Sequence, residues 1–183
     1  DHGDAFRHRN RPPCAALSAP RRRSPRPRQS AGDPDVTPQH LSAQHHAAFK
    51  TERPWAACEF ESLLTSAYVT LYAVPQGFAL ARTIAGESEL LTLAVDPSHQ
   101  RQGIGRTLTM EWLAAIAPVA DTAFLEVAAD NNAAHALYLS LGFSEIARRT
   151  AYYARKNAAP ADAIVLRRDI TSGDSGLHMP ESG

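Results

Sequence analysis

The chain has 183 residues, 19 basic and 19 acidic, 44% hydrophobic, with two cysteines. That length suits one domain with a core of ordinary size. Two cysteines are too few for a disulfide framework, no apolar run is long enough to span a membrane, and no signal-peptide core follows the basic N-terminus, so a cytoplasmic protein without a membrane partner is expected.

The balanced charge hides an asymmetry. Residues 1–35 hold eight arginines against four aspartates and six of the thirteen prolines, without apolar periodicity. Such a segment cannot bury enough surface to offset its ordering entropy and reads as a disordered Arg/Pro-rich extension. Its PRRRSPRPR run, residues 20–28, has the charge of an interaction tail, but a solvated extension is the simpler reading and no specific nucleic-acid binding is expected. Residues 171–183 hold three glycines and three serines and read as a flexible tail. Residues 36–170 are left as the folded domain.

Thr37-Pro38 has the residue types of a helix cap and first position, opening a helix to about Phe49; Pro54-Trp55 precedes a second, Ala56 to about Leu64. Tyr68 to Val74 and Phe78 to Ala85, separated by Pro75-Gln76-Gly77, spell a hairpin. Glu89 to Val95 is apolar on both faces, as a central strand is. From Gly103 to Ala117 the apolar residues fall on one helical face, with Pro118 as the stop. Ala123 to Ala129 reads as another strand, Asn132 to Leu141 as a helix ended by Gly142, and Phe143 to Tyr153 and Ala163 to Asp169 as two closing strands. That order implies an α/β (α+β) fold, a mixed sheet with helices on both faces.

Two stretches carry the candidate chemistry. Arg101, Gln102, Gly103, Ile104, Gly105 and Arg106 sit where a helix begins. Backbone N–H groups there have no intrahelical partner, and glycines remove the Cβ atoms that would hold a phosphate away; the alternative is a tight connection and no more. Arg101 and Arg106 add charged donors. Glu126 is a carboxylate between Leu125 and Val127 in an apolar strand, where a charge is costly to bury. A buried carboxylate gains basicity and suits a general base; the alternative is a structural ion pair with Arg101 or Arg148. The phenol of Tyr138 can protonate a leaving group or merely pack, and Asn131 can cap a helix while contacting a ligand.

The segments LTLAVDP, QRQGIGR, FLEVAADN and AHALYLSLGF resemble, in order and spacing, the GNAT superfamily of acetyl-CoA-dependent N-acetyltransferases. Gln100, Gly103 and Gly105 meet its loop signature; Asn131, Tyr138, Gly142 and Phe143 meet its downstream positions. More narrowly, with RRTAYY and DAIVL, the chain resembles the bacterial enzymes that acetylate the N-terminal alanine of ribosomal protein eighteen of the small subunit. The resemblance covers about Val36 to Asp169.

It implies a GNAT-like, mostly antiparallel central sheet. It implies acetyl-CoA as co-substrate with no metal, the pyrophosphate on residues 101–106, and the pantetheine arm along Leu93, Ala94 and Val95 with Asn131 nearby. Glu126 would be the base, Tyr138 the acid, and Tyr152 would border the site of a peptide N-terminus, such as that of a ribosomal protein. Two departures bear on substrate choice: Ala128 stands where the family often has a basic residue, and the segment between Ala48 and Trp55 is longer than expected. The rival readings are a dinucleotide-dependent oxidoreductase, which Leu108 in the third glycine position fits badly, and a non-catalytic acyl-CoA-binding module.

Overall fold

The computed structural model describes residues 36–155 and 158–170; the expectations for residues 1–35 and 171–183 lie outside the described residues. The elements are α1 Pro38–Ala48, α2 Ala57–Leu64, β1 Val69–Val74, β2 Gly77–Ile84, β3 Gly86–Val95, α3 Ile104–Ile116, β4 Ala120–Ala128, α4 Asn132–Ser140, β5 Ser144–Arg155 and β6 Ala158–Asp169, with a 3₁₀ turn over Pro97–His99. The strands form one sheet in the order β1-β2-β3-β4-β6-β5, in which only β3 and β4 run parallel. This is the mixed, mostly antiparallel sheet that the sequence predicts.

Alternation along the strands sends side chains to two cores. Tyr72, Ala79, Ala81, Leu90, Leu125, Val127, Ile164 and Leu166 point to one face, where they pack against Leu108, Trp112 and Ile116 of α3 and Tyr138 and Leu141 of α4. Val69, Leu71, Phe78, Leu80, Leu91 and Ala94 point to the other, under Leu41 of α1 and Phe60 and Leu63 of α2. The second core draws on β1, β2 and β3 alone. Glu126, whose neighbours Leu125 and Val127 face the α3/α4 side, therefore points to the α1/α2 side, past the edge of that core.

The main departure from expectation is the length of the last hairpin. The last strand is expected from Ala163 to Asp169, yet Ala158–Asp162, with Pro160, extends β6 at its start. β4 pairs with β6 up to Ala128↔Ala163, with a last bond from the Ala129 N–H to the Asp162 carbonyl at 2.8 Å, so β6 before Asp162 has a ladder partner on the β5 side alone, and a proline costs little there.

The long connection from α1 to α2 is held from several sides. His45 stacks on Phe49 and Trp55 with ring centroids 4.1 and 5.4 Å away. The Trp55 N–H donates to His45 Nδ1, and Arg53 pairs with the buried Glu59 at 2.7 Å. The other carboxylate oxygen of Glu59 accepts the Ala56 N–H at 2.8 Å, which caps α2.

Candidate active site

The chain leaves β3 at Val95 and folds back at once. Asp96 accepts from the backbone N–H and the hydroxyl of Ser98, and the Gln100 side-chain amide donates to the Val95 carbonyl at 3.2 Å. Arg101 and Gly103 both adopt left-handed backbone, φ 63° and 85°. A Cβ on Gly103 would meet nothing within 4 Å, so the glycine is there for its φ and not for want of room.

α3 starts at Ile104 without a side-chain cap, whereas Thr37 caps α1 and Asn131 caps α4. The first helical bond is from the Thr107 N–H to the Gly103 carbonyl, so the N–H groups of Ile104, Gly105 and Arg106 lie ahead of the ladder. Arg101, Gln102, Gly103 and Arg106 are exposed around them, and Arg106 also donates to Ser140 of α4 at 3.1 Å. An uncapped helix start with a guanidinium on each side fits a pyrophosphate.

Beside this loop the sheet opens. β3 and β4 pair in parallel from Gly86↔Ala120 to Leu90↔Leu125 and no further. At that point β3 bulges against β2, since Leu80 faces Thr92 while Ala81 faces Leu90, which leaves Leu91 unmatched. A bulge bends its strand. Leu91 to Val95 thus turn away from β4 and keep only β2 as a ladder partner. The seam between Leu93, Ala94 and Val95 on one side and Glu126 to Ala128 on the other fits an extended chain bearing amides.

Glu126 lies beside the seam, its side chain 11% exposed. Burial pushes its carboxyl above the ordinary range, and the Arg149 guanidinium and a hydrogen bond from the Tyr152 phenol pull it part of the way back. Arg149 Nε lies 3.1 Å from Glu126 Oε1. The guanidinium acts on the carboxylate first by its charge and also by hydrogen bonding. Arg149 is thus the partner that the sequence leaves to Arg101 or Arg148; Arg148 instead faces Glu145 and Asp162.

Tyr138 is buried on the opposite face, edge-on to Phe143 at 5.9 Å, and burial pushes its phenol well above the ordinary tyrosine range. Glu126 and Tyr138 therefore lie on opposite faces of the sheet. Asn131 caps α4, its Oδ1 accepting the Ala134 N–H at 3.1 Å, which leaves the NH₂ to donate elsewhere.

Arg155 is a further member that the sequence did not single out. Its guanidinium is 6% exposed and meets Asp130 twice, at 3.1 and 2.7 Å, and Glu52 once, at 3.0 Å. The end of β5 is thereby tied to both the β4–α4 turn and the long α1–α2 connection. The signal for Arg155 was weak, because its partners lie 25 and 103 residues away. A shallow basin on the outer hairpin, lined by Ser144, Ile146, Arg167 and Arg168, lies apart from these groups.

Residues 35–143 match the acetyltransferase (GNAT) family model. The ribosomal protein bS18-alanine N-acetyltransferase of Escherichia coli strain K12 is 36% identical over 138 residues, covering 72% of this chain and 88% of that protein. The N-alpha-acetyltransferase RimI of Mycobacterium tuberculosis is 38% identical over 135 residues, 69% of this chain and 81% of that one. The crystal structure of the ribosomal-protein-S18-alanine N-acetyltransferase from E. coli superposes with a TM-score of 0.64 at 31% identity, over 77% of this chain and 90% of that one.

Proposed function

The chain belongs to the acetyltransferase (GNAT) family, and from that premise we propose that it transfers the acetyl group of acetyl-CoA to the α-amine of a protein N-terminus, an N-terminal alanine of a small-subunit ribosomal protein being the first candidate. The observation that carries this reading is the half-buried Glu126 at the mouth of the seam that begins where β3 leaves β4. The similarity to the two named N-acetyltransferases supports the choice of acceptor.

Bound acetyl-CoA supplies an activated acetyl thioester. The N–H groups of Ile104, Gly105 and Arg106, with Arg101 and Gln102 beside them, hold its pyrophosphate, and Asn131 offers its amide to the arm. Backbone N–H groups in the Leu93, Ala94 and Val95 stretch donate to the carbonyl oxygen where negative charge develops.

An α-amine has a pKa of ~7.7–8.0, so at neutral pH most of it is protonated and cannot attack. Glu126 removes that proton, directly or through a water, and its burial gives it the basicity to do so. Tyr138 stays protonated at neutral pH because burial disfavours its phenolate. Transfer of its proton to a thiolate, a weaker base, is uphill in the free protein, so the phenol first donates a hydrogen bond to the departing sulfur. Tyr152 lines the acceptor side next to Glu126.

The test is incubation with acetyl-CoA and a panel of peptides differing in the first residue, with released thiol as readout and an Nα-blocked peptide as control. Acetylation of the alanine-starting peptide above the others is expected. Turnover confined to small-molecule amines would move the acceptor to that class, and binding of acetyl-CoA without turnover on any amine would leave a binding module.

A further inference from the structure

We propose that Arg149 is a positioning residue for Glu126, and that a bulge in β5 pinned by Asp162 brings Tyr152 to the same face beside it. The inference rests on the acetyltransferase reading for its kinetic consequence but not for its geometry.

Arg149 and Tyr152 are three residues apart on one strand. In an unbroken strand such residues point to opposite faces. Here both lie on the side of one carboxylate: Arg149 Nε is 3.1 Å from Glu126 Oε1, and Tyr152 is near enough that, after burial, the charge of Glu126 helps raise its phenol. The Arg149 guanidinium also stands over the Tyr152 ring, 5.8 Å from its centroid. The three side chains close a triangle.

The register of the hairpin shows how. Arg149 faces Ala163 while Tyr153 faces Ala161, so β5 spends two more residues than β6 over this stretch. The excess is taken up at Ala151, whose φ of 51° lies in the left-handed region that residues other than glycine rarely enter. Its N–H is bound by the Asp162 carboxylate, Oδ1 at 2.9 Å. Arg149 already shares the face of Glu126 through the regular pairs Arg149↔Ala163 and Ala128↔Ala163; Asp162 holds a backbone shape that Ala151 would not choose, and that shape turns Tyr152 to the same face.

The chemical reason for such a device is a conflict in what the base must be. A carboxylate has to be ionised to accept a proton, yet burial favours its neutral form. Every charged group near Glu126 enters this balance. Glu89 of β3 opposes ionisation, although it is itself paired with Arg82 of β2. On β6 the residue opposite Glu126 is the uncharged Val165. Tyr153 of β5 is protonated, chiefly because it is buried, with Glu52, Glu126 and Arg155 as its charged neighbours. Arg149 is the cation that favours the charged base, and its position aims the carboxylate.

The experiment compares Arg149→Gln, Arg149→Lys and Asp162→Ala with the parent protein in two readouts. The first is the pH profile of kcat/KM for an alanine-starting peptide. The second is the titration midpoint of Glu126 by carbon-13 NMR of carboxyl-labelled glutamate, assigned by the signal lost in Glu126→Gln. Arg149→Gln is expected to move the acid limb and the NMR midpoint up together by about one pH unit. Arg149→Lys keeps the charge and should move them less, and Asp162→Ala should move them in the same direction without touching the pair.

A folded Arg149→Gln protein with an unmoved midpoint overturns the proposal, as does a rise in KM with the limb in place, which would make Arg149 a peptide contact. An unmoved midpoint in Asp162→Ala overturns the role of the bulge. If no amine is acetylated but the midpoints move, the acetyltransferase reading fails and the positioning of Glu126 stands.

Discussion

From Val95 to Arg106 consecutive residues build the proposed anion-facing half of the site, while the proposed acceptor-facing half is gathered from Glu52, Glu126, Arg149, Tyr152, Arg155 and Asp162. The first half depends on a turn, a left-handed glycine and backbone donors that no side chain satisfies. The second depends on the register of a hairpin and on side chains that hold one another. A contiguous site should lose affinity when one residue changes, and a gathered site should lose geometry.

Glu126→Gln tests the acceptor half hardest. Acetylation of an alanine-starting peptide should fall by ~10²–10⁴-fold with acetyl-CoA still bound, and recover in part above pH 8 as the amine loses its proton unaided. A rate series over pH, run beside thermal melts, checks this; near-normal turnover with a lowered melting temperature would return Glu126 to a structural ion pair.

Tyr138→Phe keeps the edge-on contact with Phe143 and deletes the donor. Turnover should drop by ~10²-fold at unchanged acetyl-CoA affinity. Gly103→Val belongs to the other half and should act on binding instead. It forces a β-branched residue into left-handed backbone at a cost of ~1–2 kcal/mol and places methyl groups where the anion approaches, so calorimetric titration should show acetyl-CoA affinity about tenfold lower. If Gly103→Val lowers turnover while leaving that affinity intact, the division into a binding half and a geometric half fails.

Acidification should separate the chemistry from the fold. Glu126 has a raised pKa, so it becomes neutral above the ordinary carboxylate range and activity is lost there first. Asp130 has a lowered pKa, chiefly through its hydrogen bond from Arg155, so the stability it contributes is full above the ordinary range and is lost only as pH falls through the depressed value. Activity and melting temperature followed from pH 7 to pH 3 should fall in that order.

The smallest effect is expected from Glu52→Gln, which leaves Arg155 paired with Asp130. A loss of ~1 kcal/mol, or about 2–4 °C in melting temperature, is expected. An unchanged melt would show that the α1–α2 connection does not lean on the hairpin.

What was legible in the sequence follows the same division. The glycine loop, the strand ahead of it and the cap at Asn131 were readable because each is a local pattern. Glu126 stood out because a carboxylate in an apolar strand is anomalous wherever it points. Arg149 was passed over for its neighbour Arg148 because which of two adjacent arginines shares a face with Glu126 is set by the register of β5 on β6 and of β6 on β4, which only the folded sheet fixes. Arg155 and Asp162 escaped because their roles depend on partners that only the folded hairpin supplies, and the start of β6 was missed because Pro160 interrupts a strand pattern that the β5 side alone sustains there.

The place where β3 leaves β4 has a consequence for selectivity. A strand that has lost one neighbour keeps the spacing of donors and acceptors that a neighbour would have used, about 4.8 Å from the next backbone. The seam therefore acts as a template with a peptide's repeat, sheltered inside the sheet where another protein's strand cannot reach it as it could an outer edge. A ligand of the proposed site would then be selected for being slender and for carrying amides at that repeat.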